Sequence, residues 1–151
     1  MKSKVLITDY VWPSTDPERE ILEAAGIELV VAPDASESTL AALATDVDAI
    51  MFCFAQVTGK VLESAPKCKI AARYGIGVDN VDISKATQLG IVVTNVPDYC
   101  MDEVTDHALG MILALNRRLV PHTRSVLSGG WDGVALNQPM HRTRGATLGI
   151  V

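Results

Sequence analysis

The feature that most constrains this chain is a rhythm. Short apolar runs alternate with helix-like stretches over the first 97 positions, about one pair every 20 residues. The runs are KVLITD (4–9), IELVVA (27–32), VDAIMFCF (47–54), KIAARY (69–74) and IVVTNVP (91–97). Helix signals fill the gaps. DPEREILEAAG offers Asp16 as a cap, Pro17 at the first helical position, acids in the first turn and Gly26 at the end. SESTLAALAT (36–45) opens on Ser36, and TGKVLESA (58–65) stops before Pro66. DISKATQLG (82–90) opens on Asp82 and ends at Gly90.

Strands joined through a helix run parallel, cross over right-handedly and need cover on both faces. Residues 1–97 are therefore expected to form a flavodoxin-like α/β unit around a parallel sheet. Composition agrees: the chain is 48% hydrophobic but only 5% aromatic, which suits α/β layers better than a sandwich or barrel.

The rhythm then changes. CMDEVTDHALGMILALNRRL (100–119) reads as one long helix, with Val104, Ala108, Met111, Ile112, Leu115 and Leu119 on one face. Leu109 and Leu113 widen that face, so the middle of the helix is expected to be buried. Acids at its start and Arg117 and Arg118 at its end complement the helix dipole. Pro121 is expected to start a second helix, ended by Gly129 and Gly130. ATLGIV (146–151) reads as the start of a further strand. The boundary falls near 96–101, giving one domain over 1–97 and a second, incomplete one over 98–151.

The net charge of −5, without any Lys/Arg run, argues against a nucleic-acid face. Cys53, Cys68 and Cys100 show no metal-ligand spacing, so no zinc site is expected and reduced thiols in a cytoplasmic setting fit best. The first strand begins almost at once, so no leader is expected. The longest apolar run, at 108–115, is far below the ~20 residues that span a bilayer, so no membrane partner is expected.

RYGIGVDN (73–80) carries a basic residue, a Gly-x-Gly and an Asp-Asn pair at the end of a strand. Ligands in open α/β sheets sit outside the carboxyl ends of strands, and exposed N–H groups in a sharp bend bind anions. The amides of Ile76 and Gly77 are thus candidates for holding a carboxylate. The plainer alternative is a strand-to-helix turn in which Asp79 and Asn80 satisfy nearby backbone groups.

The stretch RYGIGVDNVDISKATQLGIVVTNVPDYCMDEVTDHALGMILALNRRL closely resembles the D-isomer-specific 2-hydroxyacid dehydrogenases, which include phosphoglycerate dehydrogenases and the C-terminal-binding-protein branch. NVPDYCMDEVTDHA points towards the latter branch. The similarity continues through GGW (129–131) and TRGATLGIV (143–151). The resemblance implies that Tyr74 and Gly75 shape the loop and that Ile76 and Gly77 bind the substrate carboxylate through their amides. It also places Ile76 beside a nicotinamide cofactor, NAD or NADP. NVP (95–97) is the implied hinge, and the helix from about 101 the implied interdomain helix and homodimer contact. The substrate implied is a small 2-hydroxy or 2-oxo acid. One departure is MFCF (51–54), where many members carry Arg or another polar group. Phe52, Cys53 and Phe54 make an apolar wall there, unless they are simply strand core.

TLGIV leads, in that family, into the glycine-rich dinucleotide loop, and the family's catalytic Arg, Glu and His lie beyond it. No residue here matches them, so the segment is expected to be part of a longer enzyme and inactive alone. Two other readings stand beside it: a corepressor-like scaffold or sensor on the same fold, and a free-standing small-anion-binding domain. Cys100 and Glu103 resemble a capping box with Cys for Ser. His107 is expected to be a partly buried packing residue, and Trp12 and Trp131 solitary packing or interface residues. Asp79, Asn80 and Asp82 lack the remaining ligands of a calcium loop.

Overall fold

The computed structural model describes residues 2–131, 133, 136 and 140–150. The chain divides into two compact units, Met1–Tyr99 and Cys100–Val151.

In the first unit all five expected strands form: β1 (Lys4–Ile7), β2 (Glu28–Val31), β3 (Ala49–Phe52), β4 (Ile70–Arg73) and β5 (Val92–Thr94). They pair in parallel in the order β2-β1-β3-β4-β5. The helices between them are α1 (Asp16–Ala24), α2 (Glu37–Leu43), α3 (Gly59–Glu63) and α4 (Ile83–Leu89), with a 3₁₀ turn at Ala44–Asp46.

Side chains alternate across the sheet, as a period of two requires. Leu6, Ile50, Phe52 and Ala71 face one way and pack with Leu40 of α2, Val61 and Leu62 of α3 and Ala86 of α4. Val5, Ile7 and Leu29 face the other way, against Leu22 of α1 and the half-buried Met51 and Tyr74.

Caps set the helix ends. Ser36 caps α2 by accepting from Thr39 N, Thr58 caps α3 from Val61 N, and Asp82 caps α4 from Lys85 N. Gly90 closes α4 in the left-handed region, at φ 68°, where a side chain would be strained. Asp16, expected as a cap, is instead the first residue of α1. Thr15 takes the cap position without a side-chain bond, and the Asp16 carboxylate accepts from Ser14 Oγ at 2.8 Å.

The second unit holds α5 (Met101–Asn116) and α6 (Leu119–Leu127). The single helix expected over 100–119 is divided: α5 stops at Asn116, Leu119 belongs to α6, and Arg117 and Arg118, the latter at φ 53°, lie between them. Pro121 is the third residue of α6 rather than its start. It is tolerated there because first-turn N–H groups have no intrahelical partner anyway.

Four further expectations fail in this unit. The middle of α5 is not buried: Leu109, Met111 and Leu113 are each about half exposed. An apolar face that runs nearly all round a helix needs cover on several sides, and within this unit α5 packs with α6. His107 is exposed rather than partly buried. Cys100 does occupy the α5 cap position, but its thiol makes no cap bond, as a weak acceptor would not. Residues 146–150 form no strand, because strand structure exists only through a paired neighbour and none runs beside them among the described residues. Among the described residues, no helix is long and apolar enough to cross a membrane.

Candidate functional site

The sheet order reverses direction between β1 and β3, and the crevice beyond such strand ends is where open α/β sheets hold ligands. A concave pocket of about 480 Å³ lies there. Val11 and Trp12 wall it after β1, Cys53 and Phe54 after β3, and Arg73 to Gly77 at the end of β4, with Tyr99 completing it. Tyr74, Gly75, Ile76 and Gly77, the residues singled out from sequence, all line this one pocket. His107, His122 and His141 do not.

The loop after β4 is held by its carbonyls. Gly75 O accepts from Val96 N at 3.0 Å, and Ile76 O accepts from Asn95 Nδ2 at 2.8 Å. Gly77 O accepts from Arg73 Nε at 2.9 Å. In a trans peptide the next N–H points opposite to the carbonyl. The N–H groups of Ile76 and Gly77 therefore turn away from the anchors at Val96 and Asn95. Among the described residues they donate to no protein acceptor. Both residues are exposed, and Gly75 is buried beneath them.

Arg73 adds charge to the pocket wall. Its guanidinium carbon lies 5.9 Å from the Phe52 ring centroid and 5.6 Å from that of Phe54. These are cation–π distances that hold the group in place. With Nε committed to Gly77, its Nη1 is buried without a partner. A buried donor left unpaired costs about 1–3 kcal/mol. The basic residue ahead of Gly-x-Gly was visible in the sequence, but spacing gave it no role.

Phe52 is buried strand core and Cys53 is buried just past the strand end, while Phe54 is 65% exposed and alone presents a large apolar side chain there. Burial, with the Asp9 charge, raises the Cys53 pKa against the pull of Arg73. Tyr74 hydrogen-bonds Met51 Sδ at 3.7 Å. Burial, helped by the nearby Glu18 carboxylate, pushes its hydroxyl far above the usual phenol range, so Tyr74 is a neutral wall rather than a base. Trp12 is not solitary: its ring meets Tyr74 edge-on at 4.6 Å and Tyr10 at 5.9 Å. Trp131 is 90% exposed.

Asp9, which sequence reasoning missed, and Asn80 supply the framing of this segment. Asp9 Oδ1 accepts from Cys53 N at 3.0 Å, and Oδ2 accepts from Phe54 N at 2.6 Å. Burial opposes ionisation of Asp9, but the amides of Phe54 and Cys53 and the Thr8 hydroxyl outweigh it and hold its pKa below the usual carboxylate range. Asn80 Nδ2 donates to Ala55 O at 2.9 Å and Cys53 O at 3.2 Å. Asn80 therefore does satisfy backbone groups, but across to the neighbouring loop rather than within its own turn. Asp82 is committed to the α4 cap.

The family model described as D-isomer specific 2-hydroxyacid dehydrogenase, catalytic domain, matches residues 5–149. A glyoxylate reductase of Thermococcus onnurineus (strain NA1) is 36% identical over 161 residues, covering 100% of this chain and 47% of the relative. A D-3-phosphoglycerate dehydrogenase of Methanocaldococcus jannaschii is 34% identical, covering 98% of this chain and 27% of the relative. The NAD+-bound 3-phosphoglycerate dehydrogenase of Entamoeba histolytica superposes with a TM-score of 0.67 at 26% identity, over 76% of this chain and 39% of that one. The chain spans about half the length, or less, of the curated relatives it matches.

Proposed function

Because the chain belongs to the D-isomer specific 2-hydroxyacid dehydrogenase family, we propose that it is the substrate-domain part of an oxidoreductase acting on small 2-hydroxy and 2-oxo acids. The observation that carries this reading is the pair of unpaired amides at Ile76 and Gly77, in a pocket whose wall also holds Arg73.

A 2-oxo acid is a carboxylate next to a carbonyl. Two N–H groups and a guanidinium match its charge and acceptors. The carboxylate sits on the Ile76 and Gly77 amides, and the positive charge of Arg73 in the pocket wall complements it. Tyr74, Trp12 and Phe54 shield the side group from water. The cofactor is NAD(H) or NADP(H), whose nicotinamide supplies or accepts the hydride. Ile76 fits beside such a ring, since its apolar side chain is 42% exposed at the pocket. The proton donor and the groups that polarise the carbonyl come from outside this segment, so the segment alone is inactive. Phe54 favours uncharged side groups over phosphorylated ones. In the full protein, the exposed apolar face of α5 forms a homodimer contact.

The test is steady-state consumption of NADH and NADPH by the full-length protein with glyoxylate, pyruvate and hydroxypyruvate. Saturable turnover supports the reading. No turnover with any of them, combined with tight binding of a peptide, favours the corepressor-like alternative.

A further inference from the structure

The segment from Cys53 to Ala55 is irregular backbone, yet most of its polar groups are held by side chains from elsewhere. Asp9 takes the N–H groups of Cys53 and Phe54, and Asn80 gives to the carbonyls of Cys53 and Ala55. Thr8 Oγ1 donates to Asp9 Oδ1 at 2.8 Å and steadies the carboxylate. Asn80 is 7% exposed and belongs to the same loop that carries Ile76 and Gly77. The clamp thus joins three strand ends: β1 through Asp9, β3 through the clamped segment, and β4 through Asn80.

What the clamp fixes is the backbone of Phe54. Its side chain is 65% exposed, so little surrounding core helps to set its position. Phe54 in turn lies 5.6 Å from the Arg73 guanidinium. We propose that Asp9 is a positioning residue: through the backbone of Cys53 and Phe54 it places the Phe54 ring against Arg73, and so aims the guanidinium at the substrate anion. Asp9 itself does not line the pocket. The inference rests on the substrate site proposed above and adds a residue two steps removed from it.

The chemistry singles out a carboxylate. The two consecutive N–H groups each bond a different carboxylate oxygen. An amide offers one oxygen and turns its own N–H towards the other donor. Asp9→Asn keeps size and shape but breaks half of the clamp.

The experiment is calorimetric titration of the full-length protein with oxalate, a stable anion that presents a carboxylate beside further acceptor oxygens. Asp9→Asn should raise the oxalate Kd about tenfold. Thr8→Val removes the steadying bond, retains the shape and should raise the Kd by a smaller factor. It serves if Asp9→Asn folds poorly. Ser36→Ala, which uncaps α2 away from the pocket, should lower Tm and leave the Kd unchanged. An unchanged Kd in folded Asp9→Asn or Thr8→Val overturns the proposal. So does an equal loss in Ser36→Ala, which would make the effect one of stability, and so does a wild type that does not bind oxalate. Weakened oxalate binding in the variants, in a wild type that turns over no 2-oxo acid, supports the clamp while contradicting the dehydrogenase reading.

Discussion

Arg73 donates from Nε to the carbonyl oxygen of Gly77 at 2.9 Å, tying the strand end to the loop it opens into. One side chain therefore closes the loop and charges the pocket. Lysine cannot do both, because a single ammonium lacks the planar fork. Arg73→Lys is expected to raise the KM for a 2-oxo acid about tenfold or more, with a smaller effect on kcat. Steady-state kinetics on the full-length enzyme checks this, and a KM equal to wild type would remove Arg73 from the site.

Gly77 sits where a Cβ would lie 2.9 Å from Asp79 Oδ1. Gly77→Ala must displace that carboxylate or the loop. Its KM should rise about fivefold, the equivalent of roughly 1 kcal/mol. Gly77→Ala combined with Asp79→Ala removes the clash and should recover most of the loss. If the double variant is no better than the single one, the loop tolerates no side chain for some other reason.

Acid should weaken the fold through depressed carboxyls. Asp9 is held below its ordinary pKa by backbone amides against the cost of burial, and Asp46 by Lys67 and Lys4. In such cases the unfolded chain binds protons first. The stabilisation is complete above the unfolded carboxyl value, near ~3.9, and is lost as pH falls through the lower folded value. Chemical denaturation across that range should show stability dropping with pH, and Asp9→Asn should show a shallower drop.

Phe52 is fully buried under α2 to α4, whereas Val92 on the edge strand is 59% exposed. Phe52→Ala should cost about 3–5 kcal/mol. Val92→Ala should stay within ~0.5 kcal/mol. Urea denaturation of the two variants tests where the core lies.

Leu109 and Leu113 are one helical turn apart on α5, and each is 50% exposed. If this stripe forms the proposed homodimer contact, Leu113→Glu in the full-length protein should halve the mass seen by light scattering. An unchanged mass would place the contact elsewhere.

The sheet and its helices were legible because their signals are local. The alternation of apolar runs announced five strands, and Ser36, Asp82 and Gly90 marked helix ends that the structure places where expected. The pocket loop was legible for the same reason: a Gly-x-Gly just past a strand implies a bend with exposed amides. What could not be read were links between distant segments. Asp9 reaches the backbone of Cys53 and Phe54 across 44 and 45 positions, and Asn80 reaches Cys53 and Ala55 across 27 and 25. No period or spacing encodes such a bond. Trp12 looked solitary because Tyr74, its ring partner, is remote in sequence. For α5 the apolar pattern is real but the burial expected from it is not found, with Leu109, Met111 and Leu113 each about half exposed: a pattern marks an apolar face and does not supply its cover.

The most direct test of the account is the rate of NADH and NADPH consumption by the full-length protein over a concentration series of glyoxylate, run beside Arg73→Lys. The account predicts saturable turnover with one of the two cofactors, and a markedly higher KM in the variant. Turnover that is absent, or a KM that ignores Arg73, would contradict the assignment of this pocket to a 2-oxo acid.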